Sequence, residues 1–393
     1  MKIAVIREKY TDFGGAERYV TLLAENLVMR GHEVEIFART WKTRNHSSDA
    51  LGAGISHPRI TIRRVPVLKG PSFLQILSFA FNARKLLQKN HYDIIHSFER
   101  TLYQDIYRAG DGCHREWLAQ RRKIDPPVKS MLHRINPLHI TLLWMEKQIF
   151  KEGNYKAIIA NSHRGKKEIV DLYGVPESKI RVINTPVDSK RFSCDQGQEM
   201  REKLRRQFGI SPGRSLLLFV GSGFKRKGLP ATLKALALLP SSAHLIVVGK
   251  ERLSPYQHLA KKLGVDSSVT FTGPIPDVAP YYMGADLFIL PTIYEPFSNV
   301  CIEAMAAGLP VVTSRINGAS EVLIEGENGC VIEDPLDPAA IAAKIQQGLV
   351  ISRTRIAETN SGILNRLTWE NHIQQVLELY ETVRSIKHGE RKR

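Results

Sequence analysis

Polar and apolar positions along this chain fall into two alternating patterns. Residues 2–7 form an almost unbroken apolar run, and residues 16–30 then place Val20, Leu23, Ala24 and Leu27 at helical spacing ahead of Gly31. A short continuous apolar run suits a strand buried on both faces. Spacings of three and four suit a helix with one buried stripe, closed by a glycine just past its end. Runs at 34–38, 60–65, 93–98, 105–109, 157–161 and 180–184 repeat the strand pattern, with helical stretches between several of them. Strands alternating with helices predict a parallel sheet covered on both faces.

The alternation stops at residues 189–214, which are polar and charged and end in Ser211-Pro212-Gly213; this stretch reads as an interdomain connection. A second series follows, with strands at 215–221, 244–249, 269–273, 286–291 and 310–314 and helices at 228–239, 255–263 and 299–307. A last helical stretch, 369–386, precedes a basic tail. At 393 residues the chain exceeds what one core commonly serves. The expected fold class is α/β, with two tandem Rossmann-like, doubly wound parallel-sheet domains facing across a cleft. The boundaries are 1–188, a connection at 189–214, 215–368, and a C-terminal helix and tail at 369–393 that packs back on the first domain. In open sheets of this kind ligands bind beyond the carboxyl ends of the strands, so the cleft is lined by one loop set from each domain.

Composition changes this picture little. No apolar run approaches the 18 residues of a membrane span. The first apolar run is too short for a signal peptide, so a cytoplasmic protein is expected. Cys113, Cys194, Cys301 and Cys330 lie far apart without a CxxC pair, which reads as thiols and not as a disulfide framework or zinc site. Charge is more informative. The formal net charge is +17, of which +13 falls in residues 1–190. The first half therefore faces an acidic partner (nucleic acid, anionic lipid or a phosphorylated substrate) or is merely kept soluble by its charge.

The densest chemistry lies at 295–312. Glu295 stands in a loop after a strand. Phe297 and Ser298 turn into a helix for which Ser298 is a good cap, and Asn299 and Val300 carry first-turn N–H groups that make a phosphate site. Glu303, one turn on in a helix otherwise of Ala, Met and Ile, can accept both hydroxyls of a ribose. Two glutamates with seven residues between them, followed by Ala304-Met305-Ala306-Ala307-Gly308-Leu309-Pro310-Val311-Val312, resemble the signature of family 4 glycosyltransferases of the GT-B fold. The loop Gly221-Ser222-Gly223-Phe224-Lys225-Arg226-Lys227-Gly228 supports this: Gly221 lets the backbone approach a ligand, and adjacent cations suit a diphosphate. By resemblance Arg226 and Lys227 meet the departing nucleotide diphosphate, and Lys225 points to solvent. Many relatives have an arginine where this chain has Ser222, so one cation of the pattern is missing or comes from elsewhere. By the same resemblance, backbone groups around Ile275 meet the nucleobase and Glu295 reaches the sugar.

In the first domain, Gly14-Gly15-Ala16-Glu17-Arg18 matches the family's early loop. Gly15 then faces the donor, while Glu17 and Arg18 are structural. Asp111, between Gly110 and Gly112, is assigned as acceptor-orienting or base-like, against a reading as a capping residue in a tight turn. His96 and His114 are weaker candidates, better explained structurally. Between residues 115 and 134, Arg115, Arg121, Arg122, Lys123, Lys129 and Arg134 face only Glu116 and Asp125, interleaved with Trp117, Leu118, Met131, Leu132 and Ile135 and followed by Leu142, Leu143 and Trp144. That mixture suits an anionic membrane surface, against a reading as a solvated face over a buried one.

The whole chain resembles lipopolysaccharide-core glucosyltransferases of that family. The resemblance implies a retaining, metal-independent transfer of a hexose, glucose first, from a UDP-sugar to a membrane-associated glycan or glycolipid, at the inner face of the cell membrane. The UDP-sugar is a substrate, and no cofactor is expected. Another donor or acceptor within the family is the nearest alternative. A basic nucleic-acid-binding protein is the alternative outside enzymes, but no basic-aromatic RNA motif is present and no nucleic-acid partner is expected. A dehydrogenase would want G-x-G-x-x-G after the first strand, and the loop after Arg7 lacks it.

Overall fold

The computed structural model describes residues 1–10, 15–41, 57–192, 197–240 and 242–391. They form two compact units, Met1–Asn184 with Glu370–Arg393, and Thr185–Trp369.

The first unit holds β1 (Lys2–Ile6), β2 (Lys9–Tyr10), β3 (Glu33–Ala38), β4 (Thr40–Trp41), β5 (Ile60–Arg64), β6 (Ile94–Ser97), β7 (Ile106–Arg108), β8 (Ala157–Ala160) and β9 (Ile180–Val182). Seven of them make one parallel sheet in the order β5-β3-β1-β6-β7-β8-β9, and β2 pairs with β4 in a short ladder beside it. The second unit holds β10 (Ser215–Val220), β11 (Ala243–Val248), β12 (Val269–Gly273), β13 (Leu287–Leu290), β14 (Val311–Ser314) and β15 (Gly329–Ile332), parallel in the order β12-β11-β10-β13-β14-β15. Each sheet starts at its middle, winds to one edge and then crosses to the other side. The strand order therefore reverses between β1 and β6 in one unit and between β10 and β13 in the other. Leu216 to Phe219 of β10 are fully buried, as expected of a central strand with helices on both faces.

Three elements differ from the sequence reading. Residues 189–214 are not a free connection: a short helical turn, Ser189–Phe192, and a helix, Gly197–Phe208, pack into the second unit. Met200, Leu204 and Phe208 recur every four residues, and that one stripe suffices to dock a helix that is polar everywhere else. The docking is close. A Cβ on Gly284 of the helix Ala279–Gly284 would stand 2.7 Å from Leu204 Cδ1. Second, β15 is a strand that the sequence reading did not assign, and it begins at Gly329. The glycine is there because a Cβ would stand 2.1 Å from the Val311 carbonyl oxygen of the neighbouring strand. Third, the last helix runs Trp369–Arg391, beyond 386. Its Ile373, Val376, Tyr380 and Val383 are fully buried, and past 386 it is held by Lys387, whose Nζ lies 2.6 Å from Asp105 Oδ2 and 2.9 Å from the Asp93 carbonyl.

Candidate active site

Doubly wound sheets bind ligands where the strand order reverses, at the carboxyl ends. In the second unit that place is formed by the loops after β10 and β13. Backbone hydrogen bonds stitch the two loops together: the Arg226 carbonyl accepts from Ile293 N at 2.9 Å and from Thr292 Oγ1 at 3.1 Å. Gly228, with φ +86°, makes the approach possible, since a Cβ there would stand 2.0 Å from the Pro291 carbonyl oxygen.

This stitching sets the charges. Arg226 Nη1 donates to Glu295 Oε2 at 2.6 Å and to the Tyr294 carbonyl at 2.9 Å. Lys227 folds back over Gly221, where a Cβ would meet Nζ at 2.6 Å, and its ammonium lies 3.7 Å from Glu295 Oε2. Burial pushes the Glu295 carboxyl up, but Lys227 and then Arg226 more than reverse this, so it sits below the usual carboxylate range and is ionised. The glutamate expected to reach a sugar is here the counter-ion of the cation pair. Lys225 is exposed.

The loop after β13 enters the helix Asn299–Ala306 through Ser298, which has an extended backbone but whose hydroxyl caps no first-turn N–H. Ser298 is buried, and its Oγ has no hydrogen-bond partner among the described residues. The N–H groups of Asn299 and Val300, at half-buried positions, have no acceptor within their helix, which gives that end partial positive charge. Phe297 turns its ring into the core and offers the site only its backbone. Ile275 packs at the edge of the same core just after Gly273, whose φ is +74°. Ser222, where the resemblance leads one to expect an arginine, accepts from Lys250 N at 3.3 Å and ties the loops after β10 and β11 together.

Two buried residues that the sequence did not single out hold this arrangement. Tyr282 is fully buried and donates its hydroxyl to Glu303 Oε2 at 3.0 Å. Burial, and then the neighbouring Glu303, push that phenol well above its ordinary value, so it stays a donor. Asn317, also fully buried, accepts from Ser298 N at 3.2 Å and Ala319 N at 3.1 Å and donates to Thr313 Oγ1 at 2.9 Å. It fixes the turn into the helix. In sequence, Tyr282 reads as a core aromatic and Asn317-Gly318 as a turn.

Gly15 opens the helix Gly15–Met29, while Gly14 lies outside the described residues. Arg18 is exposed, and the Glu17 side chain lies outside the described residues. Asp111 is 62% exposed, beyond the carboxyl end of β7, with Arg100 Nη1 3.8 Å away. His96 is fully buried, with Nδ1 2.7 Å from Tyr380 Oη. His114 is buried, with Nε2 3.0 Å from His139 Nδ1, and burial followed by Arg100 pushes it down to about 3. Each histidine thus has one ring nitrogen against a buried ring, Tyr380 for His96 and His139 for His114.

Of the basic stretch, Arg115, Arg122, Lys123, Lys129 and Arg134 are exposed, whereas Arg121 is half-buried with Nε 2.8 Å from Asp125 Oδ2. The helix Pro127–Ile135 has no buried residue, and Val128, Met131 and Ile135 are 70%, 65% and 69% exposed. Ile140 and Trp144 on the helix Pro137–Ile149 are also exposed, but Leu118 is buried and Trp117, Leu142 and Leu143 are half-buried, so these four leave the apolar face. Among the described residues no helix is long and apolar enough to cross a membrane.

Two doubly wound parallel sheets in one chain, the second with paired cations and a helix N-terminus at its point of reversal, make up the GT-B class of glycosyltransferase. Residues 13–191 match the family model described as Glycosyltransferase Family 4 and residues 200–359 the model described as Glycosyl transferases group 1, and the chain belongs to that family. It is similar to the lipopolysaccharide glucosyltransferase WaaG of Escherichia coli (strain K12), at 27% identity over 91% of this chain and 92% of that protein. It is also 27% identical to a D-inositol 3-phosphate glycosyltransferase of Thermomonospora curvata, over 94% of this chain and 90% of the other. The crystal structure of WaaG superposes with a TM-score of 0.78 at 25% identity, covering 98% of this chain and 99% of that one. Sucrose-phosphate synthase of Thermosynechococcus elongatus shares the fold at a TM-score of 0.76 and 23% identity, over 98% of this chain and 99% of that one.

Proposed function

We propose that this glycosyltransferase moves a hexose, glucose first, from a UDP-sugar to a membrane-associated glycan such as a lipopolysaccharide core, with retention of configuration and without a metal ion. The observation that carries the reading is the meeting of Arg226, Lys227 and Glu295 beside the start of the Asn299–Ala306 helix. A leaving UDP gains negative charge on its diphosphate. Two cations and a set of unpaired N–H groups aimed at that charge stabilise the transition state more than the ground state. Glu303, oriented by Tyr282, takes the ribose hydroxyls. Gly221 and Ile275 give backbone to the nucleotide, and Gly15 gives backbone to the donor. A diphosphate drawn to Arg226 and Lys227 competes with Glu295 for them and frees that carboxylate to turn to the sugar. The leaving diphosphate oxygen accepts the acceptor's proton, so front-face substitution needs no side-chain nucleophile, and Asp111 orients the acceptor.

Glucose and a lipopolysaccharide-type acceptor are supported by what WaaG is named for. The inositol-phosphate glycosyltransferase name keeps a soluble phosphorylated acceptor as the competing reading. A screen of UDP-, GDP- and ADP-sugars for hydrolysis and transfer, with and without EDTA, tests the donor and the metal. Failure to turn over any UDP-sugar sinks the proposal. Membrane docking is supported by the unburied helix Pro127–Ile135 flanked by exposed cations, each worth about 1 kcal/mol at an anionic surface. Vesicle pelleting that does not depend on anionic lipid removes that part.

A further inference from the structure

The second unit carries a second concentration of positive charge, at the opposite end of its sheet. Arg201 and Arg205 of the helix Gly197–Phe208, Arg214 just before β10, and Arg353 line one cavity of about 470 Å³ together with Asp286, the residue before β13. Four guanidinium groups that cannot shed their protons face this one carboxylate. Asp286 is already engaged: Oδ1 lies 2.7 Å from Arg201 Nη2 and 3.9 Å from Arg353 Nη2, and Oδ2 accepts from Leu216 N at 2.8 Å.

Part of this charge has a structural use. Arg205 Nη1 donates to the Ser211 carbonyl at 2.8 Å, and Arg214 Nη2 donates to the Ala243 carbonyl at 2.6 Å and Ser268 Oγ at 2.7 Å. Closing the loop ahead of β10 needs two arginines at most. It does not explain Arg353, which reaches in from a different helix and donates from Nη2 to the Ala285 carbonyl at 3.3 Å, nor the Nε atoms of Arg201 and Arg214, which are shut off from solvent with no hydrogen-bond partner among the described residues. A buried donor without an acceptor costs about 1–3 kcal/mol. An oxyanion in the cavity would meet the surplus charge and offer acceptors to the solvent-facing guanidinium edges of Arg201 and Arg353, whose side chains are 30% and 51% exposed. Planar guanidinium forks match phosphate oxygens two at a time. Pro310 and Ile356 give the cavity an apolar wall.

We propose that this arginine-lined cavity binds a small soluble anion carrying two or more phosphate-type charges, at a site separate from the donor pocket. β10 runs from this cavity, at Ser215, to the donor-side loop at Gly221. Six residues of strand at about 3.3 Å each put the two ends about 20 Å apart, too far for one diphosphate to bridge.

The test is titration of the full chain with inorganic pyrophosphate, repeated with glycerol 3-phosphate as a single phosphate on an organic stem, at matched ionic strength. Arg353 is the residue to change, because its side chain is 51% exposed and its removal leaves Asp286 paired with Arg201. Arg353→Gln is expected to weaken pyrophosphate binding about tenfold and Arg353→Glu further, while Arg353→Lys keeps most of it and UDP binding does not change. Glycerol 3-phosphate is expected to bind more weakly than pyrophosphate; tighter binding overturns the requirement for two charges. A pyrophosphate isotherm that Arg353→Glu leaves unchanged overturns the site. Lys227→Ala separates the two ends, since it weakens UDP binding and leaves the Arg353-sensitive binding in place; loss of both overturns their separateness.

Discussion

Replacing Lys227 by alanine tests the catalytic reading most directly. The ammonium lies 3.7 Å from Glu295 Oε2 and is largely buried. At that distance, with an effective dielectric constant near 20, one unit charge attracts another by on the order of 4 kcal/mol. A leaving diphosphate in the same place gains only part of a unit charge between ground and transition state. The catalytic share is therefore smaller, about 3 kcal/mol, or on the order of a hundredfold in turnover. The fold should survive, because Arg226 still holds Glu295 at 2.6 Å and the lost side chain leaves space over Gly221 and not in the core. Steady-state donor turnover, with thermal unfolding as a check on folding, should show kcat reduced about a hundredfold and the acceptor KM changed less than about threefold. A folded Lys227→Ala protein with unchanged turnover would refute the assignment of this cation to the leaving group.

Tyr282→Phe removes only the hydroxyl that orients Glu303; the donor KM should rise about fivefold with kcat nearly unchanged, whereas a role in chemistry would move kcat instead. Gly228→Ala forces a Cβ against the Pro291 carbonyl at a positive φ, so the melting temperature should fall by several degrees and donor turnover should fall with it. Unaltered melting would contradict the close approach of the two loops. Glu99, next to Arg7 and just past β6, is pushed up to about 7 by burial, against the pull of Arg7. Its folded value lies above its unfolded value of about 4.5, so its contribution to stability is present below that pH and is lost as pH rises toward 7. Unfolding midpoints should show that descending arm in the native chain and a flatter one in Glu99→Gln; parallel curves would contradict it.

The sequence alone determined most of the strands, the family and where the charged loops lie, for a local reason. A strand buried on both faces must be apolar along its length, as 216–219 are. The loops that carry Arg226, Lys227, Glu295 and Glu303 are marked by glycines, charges and a helix start that lie within a few residues of one another. Elements whose partners are distant in sequence were decided only by tertiary structure. The helix Gly197–Phe208 looks like a polar connection until Leu204 meets Gly284, and β15 goes unassigned until Val311 lies beside it. The same holds within the site. That Glu295 is the counter-ion of Arg226 follows from a contact across 69 residues. Tyr282 and Asn317 matter because burial leaves Glu303 and Ser298 as their partners, and no spacing along the chain records which groups burial will bring together. Local pattern reports how much of each residue is hidden; only packing decides what it is hidden against.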